Sequence, residues 1–262
     1  VVKKFLILMI GLVANLVASE CSAADVNRYE LNVGDFTTLA VDDNVNVVYK
    51  CSTDSAGLAV YDATKEAADK LIFDLSKKGR LLIQTNFLTE EEKQIPLPVV
   101  TVYSKFLSRV QNSGDSTLKV VSVAACPEFK AAVIGNGNVV IKDINCTKFH
   151  GSIKTGNGQL IVTGKCDSAA LNNTGVGSIQ ADGLEAKDAS CRFFGTGTTG
   201  VWATDTLSIK GMFPGKLYYK VAPKKIRNYS MGVKVYSMDD METPVVTEQA
   251  TEKTGQATEN ED

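Results

Sequence analysis

The residue types best suited to chemistry in this 262-residue chain recur on a beat of about 20 residues. Thr117, Asn138, Gln159, Ser178 and Thr198 each stand three places after a glycine. All are uncharged and carry both donor and acceptor capacity, which suits the hydroxyls of a sugar. Trp202 follows in the last of these segments, and its indole offers a large flat face with a donor at its edge. These six residues form the candidate ligand-binding set. The plainer reading is a solvated sheet face, with Trp202 covered by Phe213, Tyr218 and Tyr219 from the C-terminal segment.

Cys126, Cys146 and Cys166 keep the same 20-residue interval. Equivalent residues of stacked repeats lie about 4.8 Å apart, inside the Cα range that a disulfide tolerates. The three therefore read either as a ladder of small buried hydrophobes or as disulfide partners. With Cys51 and Cys191 they make five cysteines beyond Cys21, so at least one thiol is left over. No Cys-x-x-Cys pair exists, and neither a zinc ribbon nor a thioredoxin-like site is expected.

Catalytic patterns are sparse. His150 is the only histidine, and no Gly-x-Ser-x-Gly elbow or phosphate loop accompanies it. Polysaccharide-active β-helices use clustered carboxylates. Here Asp143, Asp167, Asp182, Asp188 and Asp205 fall at different offsets from their glycines and make no column. The chain reads as a non-enzymatic binding module needing no cofactor. A polysaccharide-active enzyme is the alternative, and a purely structural envelope protein the third reading.

The elements that position these residues follow from the glycine turns. Gly114, Gly135, Gly156, Gly175 and Gly195 are separated by 21, 21, 19 and 20 residues. Four places after them come Leu118, Val139, Leu160, Ile179 and Thr199, and two later Val120, Ile141, Val162, Ala181 and Val201. This alternation is strand periodicity. A repeat of this size cannot bury its own apolar face, so copies must stack. The predicted fold is all-β: a right-handed parallel β-helix with rungs of about 20 residues, inward aliphatic columns, and the polar column outward. Asn136 and Asn157, each between two glycines, are expected to stack at the turn.

Residues 25–105 read as an irregular β-rich part that precedes repeats over 106–236. Strand candidates there begin at Phe36, Leu58, Leu71, Arg80 and Val99, and a helix of two turns at most is placed between Ala63 and Asp69. Residues 1–24 read as a secretory signal peptide: Lys3-Lys4, an apolar run from Phe5 to Val17, and small residues up to Ala24. Cys21 offers lipidation as an alternative, although Glu20 is a poor residue before it. The protein is thus expected in the periplasm, at the outer membrane surface or outside the cell. No later stretch approaches the ~20 apolar residues that span a bilayer. Residues 237–262 are acidic and nearly devoid of large apolar residues, and read as a disordered tail. Net charge is −2 and aromatics make up 7%. With Lys and Arg scattered among acids, no grip on nucleic acid or anionic lipid is expected.

Several fragments recur in a fixed order: Phe36-x-x-Leu39-x-Val41 before Val45-x-Val47, then Gly79-x-Leu81-x-Ile83, and then Val100-x-Val102-Tyr103 with Leu107-x-x-Val110 before Ser113-Gly114. The glycine turns follow, closed by Gly215-x-Leu217-x-Tyr219 and Pro223-x-x-Ile226. In this order the chain resembles, over residues 36–235, the exported bacterial auto-transporter adhesins that share the head GIN domain. The resemblance implies a helically coiled all-β fold, a cell-envelope location and no catalytic residues; the polar column suggests a glycan or cell-surface component as partner. An auto-transporter also needs a membrane barrel after its passenger. Only the acidic segment follows here, so self-translocation is not expected.

Overall fold

A computed structural model describes residues 25–87 and 89–239. The predicted signal peptide and the acidic tail beyond Asp239 lie outside the described residues. The fold is a β-solenoid of about six turns with rungs about 20 residues apart, as the glycine period implied.

Four long strands carry the repeats. In chain order the strands are β1 (Val26–Asn32), β2 (Thr38–Val41), β3 (Val47–Cys51), β4 (Leu58–Thr64), β5 (Leu71–Leu75), β6 (Arg80–Thr85), β7 (Val100–Ser104), β8 (Arg109–Asn112) and β9 (Thr117–Ser122). Next come β10 (Cys126–Ile134), β11 (Asn138–Thr155), β12 (Gln159–Asn173), β13 (Ser178–Phe193) and β14 (Thr198–Gly211). β15 (Lys216–Tyr219), β16 (Lys225–Ser230) and β17 (Lys234–Ser237) close the solenoid. The predicted helix is a single turn, α1 (Lys65–Ala68), whose Ala67 N–H donates to the Thr64 hydroxyl at 3.2 Å.

Each long strand bends twice, giving a rung three faces. The register shifts between Ile141 and Ile144, Ile161 and Thr163, and Ala181 and Glu185 mark the first bend. At the second, Thr147 and Lys148 are both exposed between buried Cys146 and Phe149, so the alternation loses a phase. Side chains from all three faces meet inside. Leu118, Val139, Leu160 and Ile179 line the first face, Cys126, Cys146 and Cys166 the second, and Phe129 and Phe149 the third. The two phenyl rings stack with centroids 6.5 Å apart.

The turn between third and first faces explains the glycines. A β-carbon on Gly158 would come within 2.5 Å of the Gly137 carbonyl oxygen, and one on Gly177 or Gly197 would meet the carbonyl of Gly158 or Gly177. The second glycine of each turn is therefore required by close backbone approach. Asn157 N–H donates to Asn136 Oδ1 at 3.2 Å, so the expected asparagine stack exists. It continues one rung further, because Asn136 Nδ2 donates to Asp115.

The sheet runs without a break across residues 105 and 106. β2 lies between β8 and β6, and β3 between β9 and β7, all parallel. The antiparallel partners β1 on β4 and β5 on β6 then end the stack.

Candidate binding surface

The first face carries the predicted column. Thr117 pairs in register with Asn138, Asn138 with Gln159, Gln159 with Ser178, and Ser178 with Thr198. Their immediate neighbours, Leu118 to Thr199, are at most 1% exposed, so strand alternation turns these five outward. Gln159 is exposed and the other four are half-buried. Asn138 Nδ2 reaches Thr117 Oγ1 at 3.5 Å. The row is thus pre-aligned with much of its hydrogen-bonding capacity facing solvent.

The row also extends beyond what the repeat revealed. Thr117 N–H donates to Asn46 Oδ1 at 3.0 Å, placing Asn46 next in line. At the other end Lys216 and Lys234 continue from Thr198. Asn46 borders a cavity of about 520 Å³, with Asp43, Asn44, Lys93 and Asp115 as polar lining and Phe87 as an aromatic wall. The Asp43 carboxylate accepts from both the N–H and hydroxyl of Thr85, at 3.0 and 2.9 Å. Sequence reasoning missed this site because its walls come from three distant segments.

The family model described as "putative auto-transporter adhesin, head GIN domain" matches residues 35–223. The chain belongs to that family. Among solved structures, the GIN-domain chain is similar to a putative adhesin from Bacteroides fragilis, with TM-score 0.71, 19% identity, and coverage of 81% of this chain and 96% of that one. A putative lipid binding protein from Parabacteroides distasonis gives TM-score 0.64 at 19% identity, covering 82% and 97%. A putative adhesin from Parabacteroides merdae gives 0.64 at 17%, again covering 82% and 97%. At these identities the likeness is one of fold. No curated protein matches the chain.

In this GIN domain Trp202 stands apart from the column. The bulge that begins after Ala181 aligns it with Glu185, past the first bend. It is half-buried, and Lys220 Nζ sits 4.3 Å above its ring, so a lysine covers the stacking face where Phe213, Tyr218 and Tyr219 were the expected cover. Tyr218 instead stacks on Tyr236, centroids 5.2 Å apart.

The second face holds the cysteines in register, Cys126 beside Cys146 beside Cys166. All three thiols are free, as are Cys51 and Cys191. This is the buried ladder, and the disulfide alternative is not formed. Burial, with the neighbouring thiols and Asp167 adding to it, pushes Cys146 up to about 12. Burial and then Asp167 do the same for Cys166. Above the ladder runs a groove of about 530 Å³. Its rim charges satisfy one another, Lys165 with Glu185 at 3.2 Å and Lys187 with Asp167 at 2.7 Å.

His150 and Asp205 are similarly tied. His150 Nε2 lies 2.9 Å from Glu128, which also holds Lys130 at 3.1 Å. The hydrogen bond from Lys130 is the main reason the Glu128 carboxyl is held below its usual range. Asp205 pairs with Lys224 at 2.7 Å. Among the described residues, no group of three or more His, Cys, Asp or Glu is placed to hold a metal ion.

Proposed function

We propose that this chain is an exported cell-envelope binding module, adhesin-like and without catalytic activity, that takes an extended glycan along its first face. The observation carrying this reading is the unbroken row Asn46, Thr117, Asn138, Gln159, Ser178 and Thr198, leading into the cavity walled by Phe87. Rungs repeat the same chemistry about every 4.8 Å, comparable with the length of one sugar residue. A chain of sugars then meets one hydrogen-bonding side chain per unit, and affinity accumulates from individually weak bonds. The terminal sugar enters the cavity, where Phe87 offers an apolar wall and the Asp and Asn groups take hydroxyls. Trp202, under Lys220, joins only if that lysine swings away. Export rests on Lys3-Lys4 and the apolar run to Val17. Family membership favours the cell surface.

The test is a glycan array probed with the mature chain and with a triple variant, Asn138→Glu, Gln159→Glu and Ser178→Glu. Specific binding without product formation should be seen for the parent. The variant should lose it while keeping its β circular-dichroism signal, since the three side chains point outward. Binding that survives in a folded triple variant removes this face.

A further inference from the structure

The charges of this chain are not mixed evenly along the solenoid. Residues 206–238 contain seven Lys and Arg and no Asp or Glu, within a chain of net charge −2. These residues build the last strands, β15, β16 and β17, with the end of β14. Lys216 and Lys234 are register neighbours on the first face, and Arg192 and Lys210 on the third. Like charges side by side on adjacent strands repel, so both pairs gain from an anion placed over them. Lys224 is occupied by Asp205, and Lys220 lies over Trp202.

A second feature lies between those two pairs. The turn joining third face to first carries Asp115, Asn136 and Asn157 in the early rungs. In the late rungs it carries Val176, Phe194, Met212, Phe213 and Met231, all exposed, with Met212 at 70% and Met231 at 75%, alongside exposed Thr174 and Thr196. The corner thus gains exposed apolar side chains toward the C-terminal end of the solenoid. The resulting ridge is flanked by Lys210 and Arg192 on one side and by Lys216 and Lys234 on the other. Exposed apolar groups contiguous over several rungs call for an occupant.

We propose that this ridge docks on an anionic lipid membrane. Met and Phe side chains enter the headgroup and acyl boundary while the flanking lysines reach lipid phosphates, the combination that holds interfacial proteins. A soluble polyanion would satisfy the lysines and leave Met212, Phe213 and Met231 in water. A second copy stacked on the open end is disfavoured by that end itself. Two of its inward positions have turned polar, Asn228 beside Ile209 and Ser237 beside Tyr219, while Ile226 beside Leu207 and Val235 beside Leu217 stay apolar. Lys225 and Arg227 also line its edge. Polar terminal rungs are how solenoids resist end-to-end addition. The expectation from whole-chain charge, that no anionic lipid is gripped, averages over this segregation and is what the proposal would revise.

The full chain should be sedimented with vesicles of phosphatidylcholine alone and of phosphatidylcholine with phosphatidylglycerol. Binding is expected only to the anionic vesicles, weakening as salt is raised. Two variants separate the contributions: Lys216→Gln with Lys234→Gln, and Met212→Ser with Phe213→Ser and Met231→Ser. Each should weaken binding at least about tenfold. The Asn138, Gln159 and Ser178 triple variant should bind vesicles as the parent does, so this proposal and the glycan reading fail separately. Absence of sedimentation with anionic vesicles overturns the proposal. So does full vesicle binding by a folded apolar variant, which would make the end a site for soluble polyanions.

Discussion

Gly151 faces the core from the third face, and its missing side chain is matched by Leu160 reaching across from the first. A β-carbon built on Gly151 would lie 2.8 Å from Leu160 Cδ2, 3.0 Å from Phe149 Cε1 and 3.1 Å from Leu171 Cδ2. Gly151→Ala should therefore overpack, costing about 1–3 kcal/mol, partly offset by about 0.5–1 kcal/mol from the lower flexibility of alanine in a strand. Leu160→Ala removes a fully buried side chain and should cost about 2–5 kcal/mol. The upper part of that range is expected, because Gly151 opposite has nothing with which to fill the gap.

The double variant should then be more stable than the two costs predict. The new methyl on residue 151 enters the space vacated by Leu160, relieving its tightest contact and restoring about one buried carbon, worth about 0.8 kcal/mol. A favourable coupling of about 1–2 kcal/mol follows. Urea unfolding followed by circular dichroism measures it as a double-mutant cycle, provided the slope with urea stays constant. Additivity within about 0.5 kcal/mol would refute the reasoning, as would a Gly151→Ala variant more stable than the parent. Either result would mean that the two faces do not interlock here.

Other expectations follow from the same core. Asn112 and Asn173 take inward positions at equivalent turns. Asn112 Nδ2 donates to the Ser116 and Asn138 carbonyls at 2.7 and 3.1 Å, and Asn173 Nδ2 to those of Gly177 and Thr198 at 3.0 and 3.2 Å. Asn112 Oδ1 also accepts from Gly114 N–H, whereas Asn173 Oδ1 has no partner among the described residues. Replacement by valine should cost about 1–3 kcal/mol at either site and more at Asn112, and equal midpoints in urea would contradict the bonding. Iodoacetamide at pH 8 should modify half-exposed Cys51 well before Cys146, Cys166 and Cys191, which burial holds up at about 12. Mass spectrometry showing equally fast labelling of the ladder would place those thiols at the surface. Because these thiols ionise more readily once unfolded, their protonated burial supports the fold below about pH 9 and is lost as pH rises towards about 12. Melting temperature should fall across that window, less steeply in a Cys146→Ala variant.

What was legible in the sequence was whatever repeats locally. Val139, Leu160 and Ile179 announce an inward column because strand alternation has period two and the glycine turns reset its phase. The same arithmetic put Cys126, Cys146 and Cys166 side by side. Trp202 escaped it because the bulge after Ala181 changes the register between β13 and β14, and nothing local marks that loss of phase. The continuity of β2 with β8 and β3 with β9 escaped it too. Those pairings join residues about 70 positions apart, and each strand alone reads as an isolated fragment.

Charge is a different case. A net value near zero is an average along the chain, while a solenoid converts sequence position into height. A run of 33 residues without acid, 206–238, therefore becomes one end of the molecule and not a diffuse feature. The same conversion relates the two proposed surfaces. The cavity at Asn46 opens at the start of the first-face row, and Lys234 stands at its end, separated by the strands that carry Thr117, Asn138, Gln159, Ser178, Thr198 and Lys216. At about 4.8 Å per strand, the distance between them is on the order of 30 Å. The ridge and the cavity share the turn that carries Asp115, so a chain docked by its ridge holds the cavity beside the contact and displaced along the solenoid by about that distance.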